Sequence, residues 1–156
     1  HIRDLFQKDP NPFIAEEYKH KEKFEEYVFQ YVHYRRHTPK HGAHDWLIKT
    51  TDGTYIGLLN VYDLTLEDWN DNHRKCTLGF QTAEAFRRNY FTMEAVSHLA
   101  QYLFTEMNML RLLAFTVKDN FPAMEMLKNM GWAENTEAYH YKERYNYFEL
   151  HSIQAD

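Results

Sequence analysis

The chain has 156 residues, of which 44% are hydrophobic and 26% are charged, so it can form one domain with a substantial core. Its formal net charge of −5 does not favour nucleic acid or an anionic membrane as a partner. No apolar run approaches the roughly 20 residues of a membrane span. The single cysteine, Cys76, excludes an internal disulfide framework and suits a reducing compartment, so we predict a cytoplasmic protein.

The N-terminal part of the chain is predicted to be helical. Asn11-Pro12 is typical of a helix start, because Asn caps a first turn and Pro is tolerated at its first position. Residues 13–36 have apolar positions at helical spacing, which predicts one long helix or two shorter ones. Pro39 and Gly42 then end the helical region.

A β-hairpin is predicted next in the chain. Two apolar runs, residues 45–49 and 55–62, flank the segment Thr51-Asp52-Gly53-Thr54. An Asp-Gly pair between apolar runs is a strong hairpin signal, because the turn requires the left-handed conformation that glycine adopts readily.

The second half of the chain alternates strands and helices. We predict strands at residues 74–80 and 110–117 and helices at 92–108 and 121–130, with Gly131 ending the second helix. Alternation over residues 138–150 predicts further strand pairing, with a turn near Lys142-Glu143. This order of elements predicts a single α+β domain over residues 1–156, built around a mixed sheet.

The bend before the first of these helices has the composition of an anion site. Its sequence is Arg87-Arg88-Asn89-Tyr90-Phe91-Thr92. A turn at a helix N-terminus presents consecutive backbone N–H groups that bind phosphate well, and two arginine side chains would add donors. The alternative interpretation is an ordinary strand-to-helix turn with two solvated arginines.

Several segments, taken in order, resemble one protein family. They are Leu78-Gly79-Phe80, residues 86–95 around the arginine turn, Asn120 with Ala123, and Gly131-Trp132. This set resembles the GCN5-related N-acetyltransferases (GNAT), and within them the ribosomal-protein-alanine acetyltransferase branch, over about residues 44–135. The resemblance implies a single three-layer GNAT-like domain, in which a twisted, mostly antiparallel mixed sheet carries helices on both faces.

The resemblance also implies a ligand and a reaction. The ligand would be acetyl-coenzyme A (acetyl-CoA), bound within a core of about residues 74–132. It would lie in a cleft where the strands at residues 74–80 and 110–117 splay. The acetyl acceptor would be a primary amine, on a protein N-terminus or on a small molecule.

The resemblance carries over to individual positions. Leu78 and Phe80 would contact the pantetheine arm through main-chain groups, and an N–H near Leu78 or Gly79 would stabilise the reacting carbonyl. Asn120 and Ala123 would face the acetyl end, so the implied catalytic positions are Leu78 and Asn120. Lys128 would reach the nucleotide phosphate or lie on plain helix surface. The pyrophosphate would be cradled by Arg87, Arg88, Asn89, Tyr90, Phe91 and Thr92.

Some positions depart from the family pattern. Tyr90 and Thr92 stand where the family has small residues, so the Tyr90 ring either swings outward and leaves the amides usable or fills the pocket. Thr77, Ala123 and Leu127 stand where family members carry side chains for proton transfer. Other candidates, acting through water or as donors that line the cleft, are Asp63, His73, Glu84, Tyr139 and Tyr141. Two functions therefore remain open: acetyl transfer, or a catalytically silent relative that binds a ligand or a partner.

Two other groups of residues need an interpretation. His33, His37, His41 and His44 are closely spaced, but Pro39 and Gly42 interrupt the helix and no cysteine completes a ligand set, so no metal site is predicted. A role for these histidines in recognising the acceptor is the alternative. The tyrosines at the C-terminus, such as Tyr145 and Tyr147, are predicted to pack on the sheet or to form the surface of a homodimer.

Overall fold

The protein is built around a six-stranded mixed sheet with helices on both faces. The computed structural model describes residues 2–7, 9–14, 16–37, 43–65, 74–136 and 144–153. Its helices are α1 (Ile2–Phe6), α2 (Glu16–Lys19), α3 (Lys21–His37), α4 (Phe91–Thr105) and α5 (Phe121–Asn129), with one 3₁₀ turn at Glu84–Phe86. Its strands are β1 (His44–Lys49), β2 (Tyr55–Thr65), β3 (Lys75–Thr82), β4 (Arg111–Val117), β5 (Ala133–Glu134) and β6 (Tyr145–His151).

The sheet combines one parallel pair with antiparallel neighbours. The strand order is β1-β2-β3-β4-β6-β5, in which β3 and β4 are parallel and every other neighbouring pair is antiparallel. Because α4 connects the two parallel strands, this unit has the βαβ form. The predicted α+β fold with a mixed, mostly antiparallel sheet is confirmed.

Each face of the sheet has its own core. On one face, Leu78 of β3 and Leu112 of β4 pack with Val96 and Leu103 of α4 and Leu127 of α5. On the other face, buried residues of the N-terminal segment pack against β2 and the end of β3: Phe6, Ile14, Tyr18, Leu58 and Ala83. Burying one large apolar side chain contributes about 1.5–3 kcal/mol, so both layers of helices are held by the hydrophobic effect.

The predicted N-terminal helix begins later than expected. The Asn11 side-chain oxygen accepts a hydrogen bond from the N–H of Phe13 at 2.9 Å, and the Ile14 N–H donates to the Asn11 carbonyl at 3.3 Å. These bonds close a turn at Asn11 instead of a helix, because a short Asn side chain can satisfy the backbone locally. Helix α2 starts only at Glu16, and the predicted break falls at His20, before α3.

The predicted hairpin is confirmed. Strands β1 and β2 pair from His44 opposite Val61 to Lys49 opposite Tyr55. Gly53 has a φ of +96°, and the Thr54 N–H donates to the Asp52 carboxylate at 3.1 Å.

The helix ends follow local chemistry as well. Gly131 has a φ of +82°, and the N–H of Trp132 donates to the Leu127 carbonyl at 3.0 Å. The Gly131 N–H donates to the Lys128 carbonyl at 3.0 Å, which completes the glycine-ended motif predicted for α5. Helix α4 ends at Thr105, three residues before the predicted Asn108, which takes a φ of +54°.

The C-terminal strand β6 pairs with β4 over its whole length and with β5 near its end. Within it, Phe148 is fully buried, whereas Tyr145 is exposed and Tyr147 is half-buried. The predicted turn at Lys142-Glu143 lies outside the described residues.

Cys76 provides a pH-dependent test of the core. It is fully buried in β3, and desolvation raises the pKa of its thiol to about 12 from 9.0. The folded state therefore keeps the proton more tightly than the unfolded chain, so this contribution to stability is intact below pH 9 and is lost as pH rises toward 12. Between pH 9 and 10 the free energy of unfolding should fall by about 1 kcal/mol from this group alone.

The measurement is urea denaturation of the wild type and of Cys76→Ala at pH 8, 9 and 10. The variant should be less stable at every pH because of the cavity, but its stability should fall less steeply between pH 9 and 10. Equal slopes for the two proteins would contradict a buried neutral thiol.

Candidate functional site

The parallel strands β3 and β4 part in the middle of the sheet. Their pairing runs from Lys75 opposite Arg111 to Leu78 opposite Ala114 and then stops. Beyond that point β3 stays paired with β2 as far as Thr82, and β4 stays paired with β6 as far as Val117. A cleft therefore opens between the carboxyl ends of β3 and β4, as the resemblance implied.

The direction of the main-chain groups shows which of them face this cleft. In a strand, the N–H and C=O of successive residues point to opposite neighbours. The Arg74 carbonyl accepts from the Leu110 N–H on the β4 side, whereas the Ala83 N–H donates to Ile56 on β2. Even-numbered residues of β3 therefore face β4. Phe80 is the first of them past the paired segment, so its N–H and C=O line the cleft, whereas Leu78 is still paired.

Helices α4 and α5 both begin at the edge where the cleft opens, because each follows one of the two parting strands. Tyr90 at the start of α4 makes no side-chain capping bond in the described structure, and the first intrahelical N–H is that of Glu94, which donates to Tyr90 at 3.0 Å. The N–H groups of the preceding first turn, including those of Phe91 and Thr92, have no partner in the helix and carry partial positive charge. This end of α4 is suited to an anion.

The turn before α4 takes an unusual backbone conformation. Arg88 and Tyr90 have φ values of +66° and +61°, which glycine tolerates far better than other residues. Alternating left-handed residues turn successive N–H groups toward one point, in the manner of an anion-binding nest. The Tyr90 side chain is 78% exposed, so of the two predicted arrangements the ring takes the outward one and does not fill the turn.

Arg87 lies behind this turn and is already engaged. Its Nε donates to the Thr82 carbonyl at 2.9 Å, and a terminal nitrogen donates to the carboxylate of Asp9, whose side chain is only 1% exposed. The Thr92 hydroxyl hydrogen-bonds the Thr82 hydroxyl at 2.5 Å. The exposed arginine of the pair is Arg88, next to the exposed Asn89.

The predicted residues of α5 fall into two places. Asn120 caps the helix, since its side-chain oxygen accepts from the Ala123 N–H at 3.4 Å, and both residues stand at the cleft edge. Lys128 lies eight residues further along, roughly 12 Å down the helix at 1.5 Å per residue. There it pairs with Glu134 at 2.7 Å and lies over the Phe148 ring. Lys128 is therefore not brought together with the other predicted residues.

Side chains for proton transfer are sparse near the cleft. Leu127 is fully buried in the core and Thr77 is 1% exposed. Asp63 and Glu84 are exposed, whereas the other candidates, His73, Tyr139 and Tyr141, lie outside the described residues.

One polar residue beside the cleft was missed by sequence reasoning. Thr116 on β4 lies two residues past the last pair with β3, and its hydroxyl is buried without a hydrogen-bond partner in the described structure. A buried donor without a partner costs free energy, so such a group is a candidate ligand contact. The available signal was a threonine in an otherwise apolar strand.

The histidine cluster is only partly described. His33 and His37 lie in α3, His44 begins β1 with its ring centroid 5.7 Å from that of Trp46, and His41 lies outside the described residues. Within the part of the chain that the structure covers, no three His, Cys, Asp or Glu side chains are placed to hold a metal ion. In that same part, no helix is long and apolar enough to cross a membrane.

Solved structures with the same fold are N-acetyltransferases. A variant of the spermidine N-acetyltransferase SpeG from Vibrio cholerae has a TM-score of 0.70 and 16% identity, over 96% of this chain and 87% of that one. The ribosomal-protein-S5-alanine acetyltransferase from Vibrio fischeri has a TM-score of 0.68 and 15% identity, over 96% and 85%. The Campylobacter jejuni N-acetyltransferase PseH, in complex with acetyl coenzyme A, has a TM-score of 0.64 and 14% identity, over 85% and 82%.

The sequence comparisons assign the family. A search of curated protein sequences gave no match. A family profile described as an acetyltransferase (GNAT) domain matches residues 1–133, which is most of the 156-residue chain. The chain therefore belongs to the GNAT family of acetyl-CoA-dependent N-acetyltransferases.

Proposed function

We propose that this protein transfers the acetyl group of acetyl-CoA to a primary amine, on a protein N-terminus or a small molecule, by direct attack in a ternary complex. The observation that carries the proposal is the parting of β3 and β4 after Leu78 and Ala114, at the edge where α4 and α5 begin. Ligands of open sheets bind at such a crevice, outside the carboxyl ends of parallel strands.

The residues at the cleft fit the chemical parts of acetyl-CoA. The uncapped first turn of α4 and the exposed Arg88 suit the pyrophosphate. The pantetheine arm carries amide groups, which the main-chain N–H and C=O of Phe80 and the buried hydroxyl of Thr116 can bind. Asn120 stands at the start of α5 on the same edge. Lys128 is not part of the proposed site because Glu134 already engages it.

The chemistry then needs few side chains. Bound acetyl-CoA supplies an activated carbonyl carbon on a good leaving group. The acceptor amine attacks this carbon, so that a C–N bond forms, the C–S bond breaks, and the amine loses a proton to solvent or to the departing sulfur. The Phe80 N–H is proposed to donate to the carbonyl oxygen as its negative charge grows. Because a thiol pKa is near 8.5, the thiolate leaves without a strong acid, so the apolar Leu127 does not prevent the reaction.

We also propose that the enzyme is one domain over residues 1–156 that works in a reducing compartment, the cytoplasm. A single, fully buried cysteine supports this proposal, because neither folding nor the proposed chemistry requires a disulfide.

The first test is binding and turnover by the wild-type chain. Calorimetric titration should show acetyl-CoA binding with a Kd below about 1 mM, and thiol release should follow when an acceptor is added. The acceptor panel should include spermidine and a peptide with an N-terminal alanine, the two acceptors named for the similar structures. Absence of binding at millimolar acetyl-CoA would refute the proposal. Binding without thiol release across the panel would favour the catalytically silent alternative.

Asn120 can be tested separately as a helix cap and as a ligand contact. Asn120→Ala removes both the capping oxygen and the side-chain N–H₂, so it should lower stability by about 1 kcal/mol and weaken acetyl-CoA binding. Asn120→Ser keeps a capping oxygen, so it should keep the stability and lose only the affinity. Affinity that follows stability in both variants, measured by urea denaturation and titration, would leave Asn120 a capping residue only.

Tyr90 tests whether the turn is open to the ligand. Because the ring is directed outward, Tyr90→Gly should leave the Kd for acetyl-CoA within about twofold of the wild type, which is less than 0.5 kcal/mol. Tyr90→Phe is the matched control, since it keeps the ring and the backbone conformation. A tenfold gain in affinity for the glycine variant would show that the ring blocks the turn, and a tenfold loss would show that the ring contacts the ligand.

A further inference from the structure

We propose that Asp9 is a positioning residue for the phosphate-binding turn before α4. Through Arg87, its buried carboxylate would hold the backbone of residues 88–90 in the conformation that presents N–H groups to the ligand. The inference rests on the proposed function, because it assumes that this turn binds the pyrophosphate of acetyl-CoA.

Contacts of Asp9 and Arg87 join three parts of the chain. One Asp9 oxygen accepts from the Asn11 N–H at 2.9 Å, and the other accepts from a terminal nitrogen of Arg87. The Arg87 Nε donates to the Thr82 carbonyl at 2.9 Å, at the end of β3. The N-terminal segment, β3 and the turn are therefore tied at one point, across 78 residues of sequence between Asp9 and Arg87.

Burial makes this tie restrictive. The Asp9 side chain is 1% exposed and that of Arg87 is 26% exposed, so the carboxylate has little water to replace a lost partner. A buried charge without its partner is strongly unfavourable, so burial of Asp9 requires the guanidinium to remain where it is. Arg87 itself has a φ of −68° and a ψ of 154° and leads directly into Arg88 at a φ of +66°.

The turn needs such an external constraint because its own residues do not favour its shape. Left-handed Arg88 and Tyr90 cost conformational energy that glycine would avoid, and strained backbone persists only where the surroundings over-determine it. No side chain caps the start of α4 in the described structure. The paired Arg87 is the residue that immediately precedes the strained positions, so it is placed to hold them.

Positioning and simple electrostatics predict opposite results for one substitution. Asp9→Asn removes a negative charge near an anion site, which by charge alone should tighten the binding of acetyl-CoA. If Asp9 instead positions the turn, the same substitution should weaken binding, even though Asn keeps the oxygen that accepts from Asn11.

The experiment compares acetyl-CoA with S-acetylpantetheine, which lacks the pyrophosphate and the nucleotide. For Asp9→Asn, the KM for acetyl-CoA should rise about tenfold or more while kcat stays within about twofold, since a misplaced binding group readily costs this much. The kcat/KM with S-acetylpantetheine should match that of the wild type. Amide hydrogen exchange at residues 88–92 should also become faster.

Asp52→Asn is the matched control. The Asp52 oxygen accepts from an N–H two residues on, as Asp9 does, but it belongs to the exposed β1–β2 turn. This variant should leave both substrates and the exchange at residues 88–92 unchanged. The double variant Asp9→Asn with Arg87→Gln should be no worse than the worse single variant, because both act through one contact.

The outcomes separate this inference from the proposed function. Failure of the wild type with acetyl-CoA would refute the proposed function. If the wild type is active, an unchanged or lower KM for Asp9→Asn, or an equal loss with both substrates, would overturn the positioning role. If Asp9→Asn does not fold, Arg87→Lys carries the test, because lysine keeps the charge but cannot reach Asp9 and Thr82 together. It should show the same selective rise in KM, and equal losses would again overturn the inference.

Discussion

The constraint on which the rest of the structure depends is the end of hydrogen bonding between β3 and β4. After Leu78 and Ala114 each strand keeps a partner on its outer side only, so the inner edge of each carries main-chain groups directed into the cleft. Because both strands run in the same direction, the helices that follow them start at the same edge. The parting of two strands thus sets the place of the amide wall at Phe80 and the anion site at the start of α4.

The anion site itself is formed in an uncommon way. Glycine usually provides the left-handed positions of such a turn, but here Arg88 and Tyr90 adopt them. The exposed Tyr90 ring leaves the N–H groups of the turn uncovered, and the buried contact between Asp9 and Arg87 lies directly behind it. In this chain, packing at a distance takes over part of what local sequence does elsewhere.

Local signals in the sequence were sufficient for much of the fold. The Asp52-Gly53 turn, the glycine at position 131 and the amphipathic α4 each predicted their element, because the chemistry lies within a few residues. Asn11 misled for the same reason, since its side chain serves a tight turn as well as a helix start. The partnership of Asp9 with Arg87 has no local signal, because only the folded chain brings the two together. Lys128 was placed by spacing along a helix, which says nothing of the Glu134 that engages it.

The short parallel seam also divides the sheet into two antiparallel halves, β1-β2-β3 and β4-β6-β5, which share four register pairs from Lys75 to Leu78. Regions with fewer hydrogen bonds between them open at lower free energy than those with many. Separation along this seam is therefore the least costly internal opening of the sheet, and α4 is the covalent connection that spans it. A ligand in the cleft contacts both halves at once, so its binding energy adds to the cohesion of the domain and makes the two halves unfold as one unit.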